Sequence, residues 1–145
     1  MKLSEHFTLE ELTFSETGTR HNIPNVPDEE QKNNLKWLTS FVLEPLRQQL
    51  ARPVIVVSGF RNKQINKLVK GAKNSQHTLG QAADIKVPGM PLKQVFDFIQ
   101  RNIPFDQLIY EFDSWIHISY AKHSNRSEVL IATKENGKTV YREAA

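Results

Sequence analysis

The sequence has no cysteine among its 145 residues. That absence excludes a disulfide scaffold, a thiolate metal site and a cysteine nucleophile together. It also has no apolar run near the ~18 residues of a membrane span, so no membrane insertion is expected. The opening Met1-Lys2-Leu3-Ser4-Glu5-His6 carries no stretch of signal-peptide type, so synthesis in the cytoplasm is the expectation. An excess charge of one sign is missing too. The 19 basic and 16 acidic side chains leave a formal net charge of +3, too little to demand a polyanionic partner. With 39% hydrophobic and 24% charged residues, collagen-like, disordered and coiled-coil classes drop out. A chain of this length fits one domain and buries about 70% of its unfolded surface without staples.

The first local signal is Phe7-Thr8-Leu9-Glu10-Glu11-Leu12. Thr8 with Glu11 forms a capping box, and Phe7 with Leu12 a hydrophobic staple, so a short helix starts at Thr8. A loop is expected from about Ser15 to Val26, on the strength of Gly18, Pro24 and several polar residues. Pro27-Asp28-Glu29-Glu30 opens a long helix. Its apolar stripe is Leu35, Leu38, Val42, Leu46 and Leu50, supported by Trp37 and Phe41. Pro45 falls inside the pattern and is expected to cost or kink one turn.

Pro53 to Ser58 is β-branched and of strand length, and Arg61 to Val69 reads as a short helix closed by Gly71. In Ala82 to Val87 the residues alternate, with Ala83, Ile85 and Val87 on one face and Ala82, Asp84 and Lys86 on the other. Pro91 begins a helix whose apolar face is Leu92, Val95, Phe96 and Ile99. Gln107–Glu111 and Trp115–Tyr120 flank a short turn, and Glu128–Thr133 and Lys138–Arg142 flank Asn136-Gly137, a two-residue hairpin signal. Early helices and late, mainly antiparallel strands predict a single α+β domain over residues 1–145.

Of five histidines, two have partnered spacing. His77 precedes Asp84 by seven positions across Gly80, Ala82 and Ala83, which puts a loop histidine near the polar face of the next strand. His117 shares a strand face with Trp115 and Ser119. Two imidazoles and one carboxylate suffice as protein ligands for catalytic zinc. On local sequence alone, plainer readings stand beside that one: a loop histidine capping backbone groups, and a partly buried strand histidine. His6, His21 and His123 read as surface residues. Lys63, Lys67, Lys70 and Lys73 read as a solvated helix face, because no aromatic residues interleave them as nucleic-acid binding would require.

In combination these residues resemble a known family. Ser58-Gly59-Phe60-Arg61, then Ser75-x-His77-x-x-Gly80-x-Ala82-x-Asp84, then Trp115-x-His117 is similar to the zinc D-Ala-D-Ala carboxypeptidase family, which includes peptidoglycan peptidases of bacteria and bacteriophages. The opening Phe7–Leu12 and the segment Leu43-Glu44-Pro45-Leu46-Arg47 also look like its short, phage-type members. The resemblance covers about residues 3–121, leaving 122–145 as a β-hairpin extension that either forms one wall of the cleft or merely extends the sheet.

The resemblance implies a zinc site in a cleft on the sheet, with His77, Asp84 and His117 as ligands. It implies that Arg61 holds or polarises the substrate and that Ser75 helps bind its carboxylate end; Ser58 is a further candidate for binding it, and Trp115, on the His117 face, either stacks on the substrate or walls the cleft. Many members carry a Glu three residues before the last histidine; here Ser114 stands there, leaving Glu111 and Asp113 as candidate general bases. Asp113 is four residues from His117, roughly 13 Å along an extended strand, which favours Glu111 folded back beside it. The implied activity is zinc-dependent hydrolysis of D-amino-acid-containing peptide bonds in the stem or cross-link of peptidoglycan, as carboxypeptidase or endopeptidase. The alternative is a catalytically inactive module of the same fold that binds wall fragments or a protein partner. A monomer without nucleic-acid partners is expected, and a phage-type export route or a cytoplasmic recycling role would both suit it.

Overall fold

The computed structural model describes residues 1–144. Thr8 caps α1 (Leu9–Thr13): its hydroxyl accepts from the Glu11 N–H at 3.1 Å, and the Glu11 carboxylate returns to the Thr8 N–H at 3.1 Å. Phe7 and Leu12 are both buried, as the staple requires. The expected loop after Ser15 instead contains α2 (Glu16–Arg20), capped by the Ser15 hydroxyl on the Gly18 N–H at 3.0 Å. Gly18 is there for space: a Cβ would lie 2.8 Å from Ile65 Cδ1 and 3.0 Å from the Ile23 carbonyl.

Asp28 caps α3 (Glu29–Leu38), again with a reciprocal bond from Gln31. The stripe continues through a π-helical turn (Thr39–Leu43) into α4 (Glu44–Leu50). The Glu44 N–H reaches back five residues to the Thr39 carbonyl. Pro45 therefore falls in the first turn of α4, where its missing N–H does least harm. The expected kink takes this form. Phe41 stays 42% exposed and stacks between Trp37 and Tyr120 instead of entering the core. After β1 (Ile55–Ser58), Asn62 caps α5 (Lys63–Leu68), so Arg61 lies before the helix and not within it.

A 3₁₀ turn (Gln76–Leu79) leads into β2 (Ala82–Lys86), followed by α6 (Leu92–Asn102), β3 (Gln107–Glu111), β4 (Trp115–Ser119), β5 (Glu128–Glu135) and β6 (Lys138–Glu143). The six strands form one sheet in the order β1-β2-β4-β3-β5-β6. All pairs are antiparallel except β3 with β5. One face carries Ala83, Ile85, Leu108, Ile116 and Ile118 into a core shared with Leu35, Leu38, Leu46, Phe96 and Ile99 of the helices. Strand alternation then turns Asp84, Ile109, Glu111, Trp115 and His117 to the opposite face. The architecture is the α+β fold that the sequence predicts.

Candidate active site

Three local devices bring the chemistry-bearing residues together. Gly59, at the end of β1, lies so close to α1 that a Cβ would sit 2.3 Å from the Leu12 carbonyl oxygen, which accepts the Phe60 N–H at 2.7 Å. Ser75 caps the 3₁₀ turn, its hydroxyl accepting from the His77 N–H at 3.1 Å. Gly80 ends that turn at φ +76°, and a Cβ there would meet the Gln31 carbonyl at 2.5 Å. α3 fastens the same turn: the side-chain amides of Gln31 and Asn34 donate to the carbonyls of Thr78 and Leu79 at 3.1 and 2.9 Å. These contacts explain the serine two residues before His77 and the glycine three residues after it.

His77 and Gly59 are joined directly. The imidazole Nδ1 lies 2.8 Å from the Gly59 carbonyl, so Nδ1 carries the proton and Nε2 is left to face Asp84. Asp84 Oδ1 is 3.2 Å from His77 Nε2 and 3.0 Å from His117 Nδ1. His117 is opposite Asp84 in the β2–β4 register, so adjacent strands hold both side chains on one face. The three residues are buried, and their ligating atoms lie within 4.8 Å of one another. Burial pushes the Asp84 carboxyl up, but the two imidazoles more than offset it and hold the group well below the usual carboxylate range. Two imidazole nitrogens and one ionised carboxylate oxygen, converging from a rigid sheet and a clamped turn, are a donor set that fits zinc.

The group opens into a cavity of about 510 Å³ that also takes in Arg61, Ser75, Glu111 and Trp115. Arg61 has its Nε buried without a hydrogen-bond partner among the described residues. Burial lowers its pKa and the nearby Asp84 and Glu111 charges oppose that, leaving a cation with a donor directed at no protein acceptor. Glu111 Oε1 accepts from Trp115 Nε1 at 2.7 Å. Burial first, and then the Asp84 charge, raise the Glu111 carboxyl above its ordinary value.

The other expected residues are placed differently. Asp113 is exposed in the turn at φ +53° and lines a separate cavity of about 310 Å³ with Tyr110 and Phe96, on the core-facing side of β3. Ser58 stands opposite Asp84 on β1, past a bulge between Val56 and Ser58, and does not line the cavity. Lys70 lies past the end of α5 in left-handed backbone and lines the cavity, while Lys63 and Lys67 are exposed on the helix. His6, His21 and His123 are exposed as expected, and His6 in addition holds the buried Glu44 through Nδ1 at 2.7 Å.

The sequence left open whether the C-terminal hairpin walls the cleft or only extends the sheet, and it singled out none of the residues concerned; Arg126, Lys134, Thr139 and Tyr141 line the far side of the cavity from the β5–β6 hairpin and the segment leading to it. The Asn136-Gly137 turn, with φ of +53° and +78°, predicts the hairpin. Its parallel docking on β3 has no local signal.

A family model described as Peptidase M15 matches residues 5–119 of the chain. No curated protein matches it.

Proposed function

The chain belongs to the Peptidase M15 family, and on that premise we propose that it is a zinc metallopeptidase hydrolysing D-amino-acid-containing peptide bonds of peptidoglycan. The observation that carries the reading is the convergence of His77, Asp84 and His117 with Arg61 and Glu111 in one cavity. His77 Nε2, Asp84 Oδ1 and His117 Nδ1 would hold the metal, and a zinc ion there supplies a Lewis acid that acidifies water and polarises a carbonyl.

The remaining steps belong to the chain's own residues. Glu111 takes the proton from the attacking water and delivers it to the leaving nitrogen. Its raised pKa suits the base half of that role, since a carboxylate of ordinary pKa is a weaker base near neutrality. The Trp115 indole N–H fixes the carboxylate's direction through Oε1 and leaves Oε2 free for the proton. Arg61 donates to the carbonyl oxygen as negative charge develops on it, from a site where water competes little. Ser75 acts through His77, holding the turn's backbone, and Trp115 walls the cleft. Glu111 thereby fills the place that the serine at position 114 leaves open; Ser114 Oγ donates to the Phe112 carbonyl within the turn.

The test is metal content by mass spectrometry, followed by muropeptide digestion, on the wild type and on His77→Ala purified without chelator. About one zinc per wild-type chain, lost in the variant together with hydrolysis, is expected. Bound zinc without hydrolysis would favour a binding module of the same fold, and no zinc after metal is supplied would overturn the reading.

A further inference from the structure

The matched family region ends at residue 119, and the hairpin begins at Glu128. The far wall of the cleft therefore lies outside the part of the chain that the family model covers. Its position follows from register. Trp115 is opposite Glu111, Glu111 opposite Ala132, and Ala132 opposite Tyr141, so four strands carry one straight row on the cleft face. Ala132, 1% exposed, is the small member of that row. With nothing larger between them, the Glu111 and Tyr141 side chains face one cavity across roughly two strand spacings, about 10 Å. One step further along the hairpin, Lys134 is opposite Thr139, and both line the same cavity.

The charges on this wall differ in how they are compensated. Arg126 is held by Asp106, Nε at 3.0 Å and Nη2 at 2.8 Å; on the opposite face of the hairpin Arg142 is held by Glu135 at 2.8 Å. Lys134 has no acidic partner within ion-pair distance among the described residues. Its Nζ donates to the Thr139 hydroxyl at 3.0 Å and lies 5.4 Å above the Phe112 ring. A hydroxyl and an aromatic face orient an ammonium without neutralising it. Tyr141 is 53% exposed, with partial burial first, and then the Glu111 and Asp84 charges, raising its phenol pKa, so it stays a hydrogen-bond donor across the working range.

Building on the peptidase reading of this cleft, we propose that the C-terminal hairpin is its specificity wall: Lys134 receives a carboxylate of an acidic peptide substrate, and the Tyr141 hydroxyl donates to the peptide beside Glu111. The wall selects acidic peptides over their carboxamide counterparts, because removing the carboxylate leaves Lys134 unpaired.

The test compares a muropeptide with its carboxamide derivative on the zinc-loaded wild type, Lys134→Met, Tyr141→Phe and Lys138→Met. Lys138 is on the same hairpin but on the opposite face, and it controls for a general loss of positive charge. The wild type is expected to favour the carboxylate peptide about tenfold in kcat/KM, chiefly through KM, an effect in the range of one charged hydrogen bond. In Lys134→Met that ratio falls to about 1–2, and in Lys138→Met it stays near the wild-type value. Tyr141→Phe raises KM for both peptides by about three- to tenfold, the loss of one neutral hydrogen bond. An equal preference in wild type and Lys134→Met overturns the proposal even if hydrolysis is vigorous. If the wild type cleaves neither peptide, the peptidase reading fails by itself. The wall is then judged from dissociation constants of the same two peptides by calorimetry: a carboxylate preference lost in Lys134→Met sustains it, and no preference ends it.

Discussion

Glu44→Gln is a perturbation whose size can be worked from its surroundings. Glu44 is 8% exposed at the start of α4 and fastens the N-terminal segment. Its carboxylate accepts from the Ser4 hydroxyl, from the His6 N–H at 2.8 Å and from the Gln48 amide at 3.3 Å, with His6 Nδ1 at 2.7 Å. Burial raises the carboxyl's pKa and is the largest single influence. The bonds from Ser4, His6 and Gln48 together outweigh it and hold the pKa at about 2 against an ordinary 4.5. The folded value is the lower one, so the ionised form favours folding. Its contribution is complete above the unfolded pKa and is lost as pH falls from 4.5 toward 2. A depression of that size corresponds to roughly 3 kcal/mol at neutral pH. A glutamine retains one acceptor oxygen, so Glu44→Gln is expected to cost about 2 kcal/mol at pH 7 and under about 0.5 kcal/mol near pH 2. Urea denaturation followed by circular dichroism at pH 7, 4 and 2.5 measures both ends. Other acid-sensitive groups, Asp84 among them, cancel in the difference between the two proteins. A gap between wild type and variant that stays constant over this range would refute the reasoning, as would a gap under 0.5 kcal/mol at pH 7.

Four further outcomes are expected. Glu111→Gln lowers kcat by about 10²–10⁴-fold while zinc content is retained, checked by paired kinetics and metal analysis. Because the Glu111 pKa is raised and the carboxylate is the working form, the acid limb of the wild-type kcat/KM profile falls at a pH above the ordinary carboxylate value, and the variant lacks that limb. Arg61→Lys lowers kcat/KM at least tenfold with the fold intact, since an ammonium cannot reproduce the guanidinium fork; equal activity would remove Arg61 from the reaction. Gly59→Ala drives a Cβ to within 2.3 Å of the Leu12 carbonyl and is expected to cost about 2–4 kcal/mol in thermal or chemical unfolding.

Much of this arrangement is legible in the sequence wherever a local rule governs. The Thr8 capping box, the Asn136-Gly137 turn and the alternation that puts Asp84 opposite to Ile85 each need only a few neighbouring residues. The pairing of His77 with Asp84 and His117 joins segments up to 40 positions apart, and local spacing does not determine it. The motif resemblance anticipated it instead. Three features had no such help. α2 hides behind Gly18, whose role is to admit Ile65 and not to break a helix. Asp113 and Glu111 differ by two positions, but backbone at positive φ at Phe112 and Asp113 sends Asp113 to the other side of the sheet. His6 has no partner in the sequence near it, because Glu44 reaches it from 38 positions away.

The pairing of the C-terminal hairpin has a mechanical consequence. β5 is bonded to β3 only as far as Ala132, opposite Glu111, whereas its pairing with β6 runs on to Glu135 opposite Lys138. The last part of the ribbon is thus a cantilever: two strands projecting past the end of β3, with no third strand beneath them. Two-stranded ribbons twist more strongly and resist bending less than sheets of three or more. Tyr141 stands at the root, level with the last bonded pair, and inherits the stiffness of the sheet. Lys134 stands on the free arm, bonded to Thr139 of the same arm and resting over the Phe112 ring. Amide exchange should therefore be slow at Ile131 and Ala132 and fast from Lys134 to Thr139. In the proposed peptidase, one wall of the cleft would combine a fixed contact with a compliant one, and substrates that differ in where they carry their charge would be met by bending the ribbon rather than by rebuilding the site.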